Sequence, residues 1–255
     1  MSLTLLRPAV LMLISCGWLC ACVTNTNKPY VDQSAAYNKR VELGMQYLSV
    51  DKRDNARRQF SKALEFRKDG AEAYHGIALV HQANGEMDPA GKNFTRALRL
   101  ASKAERAPIA VSYGIYLSET GERDKACPYF ETAADDYDYN RRAEALYYAA
   151  MCARDTGNTE RFKPALEHAL NLNENLSPAL IELAEIAFAE GNYPRAKQLL
   201  DRHMVLNKPG ARSLWLGIRL ERIFGNRDKE ASYALALKNL HPYSNEYLQY
   251  KNSQL

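Results

Sequence analysis

From Tyr37 onward the chain repeats itself with a period of 34 to 36 residues, and a period of that length leaves few folds open. The units start near Tyr37, Ala71, Ala107, Ala143, Ser177 and Ala211, at steps of 34, 36, 36, 34 and 34 residues. Counting from each start, small residues recur at positions 8, 20 and 27, an aromatic or leucine at 24, and glycine at 15. The first unit has Gly44, Ala56, Phe60 and Ala63 at positions 8, 20, 24 and 27, with Leu43 and Tyr47 at 7 and 11. The second has Ala78, Gly85, Ala90, Phe94 and Ala97, and the third Gly114, Leu117, Gly121, Ala126, Phe130 and Ala133. Later units are looser. The fourth keeps Ala150, Gly157, Leu166 and Ala169 but has Phe162 where a small residue belongs. The fifth puts His203 at position 27, and the sixth is marked mainly by Gly225 and Pro242.

Small residues at three fixed places let two helices approach closely, and the bulky position 24 fills the space that remains. Glycine at position 15 supplies the backbone that ends the first helix of each pair. Pro89, Pro108, Pro164, Pro178 and Pro194 fall near expected helix starts, where a missing amide does little harm. No run alternates with period two, so no sheet is expected. The pattern resembles the tetratricopeptide repeat (TPR). It implies an all-α solenoid of about six helix-turn-helix units in a right-handed superhelix, over residues 37–250, with 251–255 as a tail. Each pair leaves an apolar face that only the next pair can cover, so stacking creates a concave groove.

In such folds positions 2, 5, 9 and 12 of the first helix face that groove. In the first unit these are Asn38, Val41, Met45 and Leu48; later units add Leu79, Val111, Ile115, Tyr147, Met151 and Phe188. Apolar side chains on a face that should be wet suggest a surface for a peptide or helix, and methionines suit an adaptable one. The competing reading is that curvature packs these residues together as ordinary core. Cys127 and Cys152 stand at positions 21 and 10 of adjacent units, on helices that should pack together. They are candidates for a disulfide, or else two small buried thiols.

Constellations that carry chemistry are not found. Asp136, Asp138 and Asn140 imitate the start of a calcium loop, but Arg141 replaces its glycine and Tyr147 its closing glutamate. His75, His81, His168, His203 and His241 lack metal-ligand spacing and are expected as satisfied core or surface histidines. No phosphate loop or HExxH is present. The reading is therefore no enzyme, no cofactor, no metal and no small-molecule substrate. The net charge of +4 comes from scattered residues, 34 basic against 30 acidic, without the basic patch of a nucleic-acid binder.

Ahead of the repeats, Arg7 precedes an uncharged run of 11 residues, Ala9 to Leu19, too short to span a bilayer and fit for the apolar region of an export signal. It ends in Leu19-Cys20-Ala21-Cys22, which resembles a bacterial lipobox. Cys20 departs mildly from the usual residue at its place, and a second match at Leu13-Ile14-Ser15-Cys16 would shorten the apolar run. The resemblance implies a signal peptide over 1–21 and lipidation of Cys22. Several acyl chains make such anchoring stable. Val23, rather than aspartate, after the cysteine favours the outer membrane. Residues 22–36 are polar and aperiodic, as expected of a tether.

A lipobox, a short tether and about six TPR units together resemble the type IV pilus biogenesis lipoproteins of the PilF/PilW group. The most specific part is Ala211-Arg212-Ser213-Leu214-Trp215-Leu216-Gly217-Ile218-Arg219-Leu220, followed by Arg227-Asp228 and Ala231-Ser232-Tyr233. This segment is poor TPR consensus yet is similar to that group's C-terminal signature. The resemblance implies a pilotin on the periplasmic face of the outer membrane. Its partners would be secretin subunits, whose localisation and multimerisation it promotes. The alternative is another periplasmic TPR lipoprotein adaptor, for β-barrel assembly or for cell-wall hydrolases.

Overall fold

The computed structural model describes residues 32–254. The signal segment, Cys22 and most of the tether therefore lie outside the described residues. Within them the chain forms thirteen helices and no strand. Six pairs follow the repeat: α1 (Gln33–Ser49) with α2 (Arg53–Phe66), α3 (Ala71–Ala83) with α4 (Met87–Leu100), and α5 (Lys103–Glu119) with α6 (Arg123–Ala134). Then come α7 (Arg142–Asp155) with α8 (Thr159–Leu172), α9 (Ser177–Ala189) with α10 (Tyr193–Leu206), and α11 (Ala211–Ile223) with α12 (Arg227–Leu240). A last helix, α13 (Asn245–Asn252), lays Tyr247 and Tyr250 against the apolar cluster of Leu214, Ile218 and Leu237 and so covers the end of the stack. Its N-terminus is capped by Ser244 Oγ, which accepts from Tyr247 N at 3.2 Å.

The small positions are small because aromatic rings stand against them. Phe60 is fully buried, and a Cβ at Gly44 or Gly76 would sit 2.4 or 2.3 Å from its ring. No side chain fits there, so helices α1 and α3 both close onto one wedge. Phe130 plays the same part against Gly114, at 2.6 Å. In the sixth pair the wedge is Tyr233 against Gly217, at 2.8 Å, each one residue ahead of its usual repeat position. That shift explains why the sixth unit reads poorly as a repeat while packing as one.

Between helices, five of the six units turn through a glycine with positive φ: Gly85, Gly121, Gly157, Gly191 and Gly225, at 72 to 85°. The first unit uses Asp51 at the same place, with φ 57°. Asp51 is among the residue types that tolerate this left-handed region best.

Neighbouring pairs are fastened by more than apolar contact. Tyr37 Oη accepts from Ala73 N at 3.1 Å while the Arg67 guanidinium lies 3.6 Å above its ring. Cys127 of α6 and Cys152 of α7 are joined in a disulfide with Cα atoms 5.6 Å apart. Further along, fully buried Glu221 of α11 meets Lys197 Nζ of α10 at 3.0 Å and accepts from Asn226 Nδ2 at 2.6 Å. These contacts hold the Glu221 carboxyl below its usual range although burial pushes the other way.

Several boundaries differ from the sequence reading. Helix α1 begins at Gln33, inside the expected tether, and α13 runs through Asn252, into the expected tail. Helix α5 begins at Lys103 because Ser102 and Glu105 form a capping box ahead of the expected start, with Ser102 N donating to Glu105 Oε2 at 2.8 Å. As a result Pro108 is the sixth residue of its helix; Pro164 is likewise the sixth of α8, whereas Pro178 and Pro194 do sit in first turns.

Candidate functional site

The first helices of successive pairs line one face, and the candidate groove residues divide there into three groups. Met45, Leu79 and Ile115 line a cavity of about 540 Å³, together with His75, Pro108, Tyr148 and the Asp136–Arg141 loop, and Val111, itself a buried core residue, closes its floor. Ile115 and Met151 line a second cavity of about 520 Å³ beside the disulfide, with Phe130, Tyr148, Cys127 and Cys152. Ile115 and Tyr148 belong to both walls, so the two hollows are neighbours. Volumes of this size suit a bound segment.

Val41, Leu48 and Tyr147 line neither cavity. Val41 is only 9% exposed and packs with Tyr37, Ala63 and Ala73, because α3 covers the side of α1 that was expected to be open. It is a core residue, as in the competing reading that packs such positions together, and not part of an open groove. Leu48 is half-buried against Ala56, Phe60 and Val80. Tyr147 stands edge-on to Tyr148 at 5.4 Å, and burial together with nearby Glu182 pushes its hydroxyl pKa up.

The far half of the same face is closed by charge. Arg212 of α11 donates to Glu182 at 2.8 Å and to Glu185 at 2.6 Å, both on α9, and Arg154 of α7 approaches Glu182 at 3.4 Å. Arg212 is held charged by these carboxylates, and by their hydrogen bonds most of all. Arg219 lies 4.4 Å over Phe188 and 5.3 Å from the Trp215 ring, where burial lowers its proton affinity. Trp215 and Arg219 belong to the sequence segment that departs most from the repeat. The structure uses them to knit the last two pairs together.

The residue that sequence reasoning passed over is His75. It occupies position 5 of its unit, a groove position, but is not among the apolar side chains that mark the groove in the sequence. It is 7% exposed, its ring lies 6.0 Å from Phe94, and its Nε2 has no hydrogen-bond partner. It is thus no satisfied core histidine. Burial keeps it neutral, with its pKa pushed down to about 4. His203, by contrast, replaces the position-27 alanine by placing Nδ1 2.9 Å from Ser177 Oγ and 3.1 Å from Ser177 O. In the loop that walls the cavity, the Asp136 side chain holds its own turn, Asp138 N donating to Asp136 Oδ1 at 3.1 Å. Among the described residues no group of three or more histidines, cysteines and carboxylates is placed to hold a metal.

What this arrangement can do is bind. It offers two adjoining hollows with apolar walls on a rigid helical frame.

Comparison with known proteins agrees with the repeat frame. Residues 71–103 and 143–176 match the tetratricopeptide repeat family, starting where the second and fourth units start. The type IV pilus assembly protein PilF of Pseudomonas aeruginosa is 31% identical over 249 residues, covering 96% of this chain and 98% of its own. The solved structure of P. aeruginosa PilF superposes with a TM-score of 0.81 at 30% identity, covering 87% of this chain and 99% of that one. The crystal structure of PilW, a type IV pilus biogenesis factor, gives 0.66 at 24% identity, covering 84% and 97%. That second likeness speaks for the fold alone.

Proposed function

This chain belongs to the family of type IV pilus biogenesis TPR proteins represented by PilF, and from that premise we propose that it is a lipid-anchored pilotin. In this reading Cys22 carries the acyl chains, and the anchor sets the protein on the periplasmic face of the outer membrane. The solenoid holds secretin subunits there and promotes their assembly into the ring through which the pilus passes. The chain's own contribution is grip and position, with no bond made or broken.

One observation carries the reading furthest. The hollow bounded by Met45, Leu79, Val111 and Ile115 adjoins the one beside the disulfide, and together they leave apolar side chains open on a face whose far half is closed by ion pairs and a cation–π contact. An apolar surface left open in a protein of an assembly machine fits a transient protein ligand. Deleting the gene and measuring surface pili and heat-resistant secretin oligomers tests it. Loss of both, restored by the wild-type gene, is expected; normal amounts of both refute it. Replacing Cys22 with Ala is expected to move the protein out of the outer-membrane fraction, and unchanged fractionation refutes the anchor.

A further inference from the structure

The position-5 column of the six units reads Val41, His75, Val111, Tyr147, Ile181 and Trp215. Five members are aliphatic or aromatic, and one is an imidazole that the fold leaves with an unpartnered nitrogen. Packing alone gives no reason for it, since an apolar residue of similar size would pack beside Phe94 without burying an unpaired polar atom. The second observation is where His75 sits: it helps wall the 540 Å³ cavity. A third lies across that cavity, where Asp136 and Asp138 line the mouth without a salt bridge from any described residue. The one cation in the same wall, Arg141, is 3.2 Å from Glu144.

Apolar walls, one unpaired polar group and two carboxylates outside any described ion pair, with Lys103 and Arg106 across the adjoining hollow, together describe a complementary ligand. We infer that this cavity reads a short segment of the partner in which a lysine or arginine stands next to aliphatic or aromatic side chains. The apolar side chains fill the hollow between Met45, Leu79 and Ile115. A polar group of the segment pairs with the His75 imidazole, and the basic side chain lies against Asp136 and Asp138. The inference deepens the pilotin reading, on which its choice of a protein partner rests.

The test uses the full-length protein in detergent and two sets of synthetic peptides. One set tiles the secretin of the same pilus system; the other holds designed peptides with lysine beside leucine or phenylalanine, and glutamate-for-lysine counterparts. Bound peptides are expected to be those with a base next to apolar residues, with the counterparts not bound. His75→Leu is expected to weaken that binding roughly tenfold while leaving the thermal midpoint unchanged or raised. Binding by His75→Leu at wild-type strength would show the imidazole to serve the core alone. Asp136→Asn combined with Asp138→Asn, on the exposed loop, is expected to weaken binding several-fold and to flatten its salt dependence. Should His75→Leu fail to fold, this double variant decides the matter.

Secretin peptides that bind both variants as tightly as wild type overturn the cavity assignment and leave the pilotin reading standing. Designed peptides that bind through His75 while no secretin peptide binds do the reverse. Binding by neither set overturns both.

Discussion

Asp51 holds a backbone angle that the other five units give to glycine. Left-handed backbone strains any residue with a Cβ, so Asp51→Gly is expected to stabilise the protein by about 1 kcal/mol. Gly85→Ala, at the matching place, is expected to cost about 1 kcal/mol for the same reason; urea titration of both variants measures it. His75 makes a second prediction at this scale. Its folded-state pKa, about 4, lies below the ordinary 6.5, so between those values the unfolded chain takes up the proton and the folded chain does not. Its share of stability is whole above pH 6.5 and is lost as pH falls toward 4, on the order of 3 kcal/mol in all. His75→Leu is expected to flatten that part of the pH–stability curve, and an unchanged curve contradicts the burial argument. Both residues stand in the repeat frame at positions 15 and 5, so their places were legible. Their significance was not: aspartate does not announce a positive φ, and no local pattern tells that an imidazole nitrogen ends up without a partner.

At the scale of helices, the pairs were readable wherever a small residue faces a ring at the regular spacing, as Gly44 and Gly114 do with Phe60 and Phe130. The pattern is obscured where packing is kept by shifting both partners, as in Gly217 with Tyr233, or by a hydrogen-bonded substitute such as His203. Helix starts were misplaced where a cap outside the repeat decides them, as Ser102 and Glu105 do for α5. The fastenings between pairs give two further tests. Replacing Cys127 and Cys152 with alanine opens a cross-link between residues 25 apart and is expected to cost about 3 kcal/mol, seen as a lower thermal midpoint. Lys197→Met strips the buried Glu221 of its cation and is expected to cost about 3–5 kcal/mol. Glu221→Gln in that background is expected to recover part of the loss. A Lys197→Met protein as stable as wild type would show the pair to be ornamental.

Across the whole described solenoid, the groove was legible in outline because the repeat frame names the first-helix positions, and four of the nine apolar residues at them do wall one cavity. The frame cannot say which of those positions the next pair covers. Val41 fell to the core because Ala73 and α3 close over it, while Met45, one turn on, stays 38% exposed. The two residues are therefore expected to separate cleanly. Val41→Glu lowers the thermal midpoint through a buried charge, and Met45→Glu keeps the midpoint and loses partner binding. The proposal that the concave face holds the secretin is tested most directly by photo-crosslinking in living cells. A photoreactive residue at Met45 or Ile115, inside the cavity, should give an adduct with the secretin subunit, and one at Thr95, on another face between α4 and α6, should not. Adducts from Thr95 with none from Met45 or Ile115 would contradict the account.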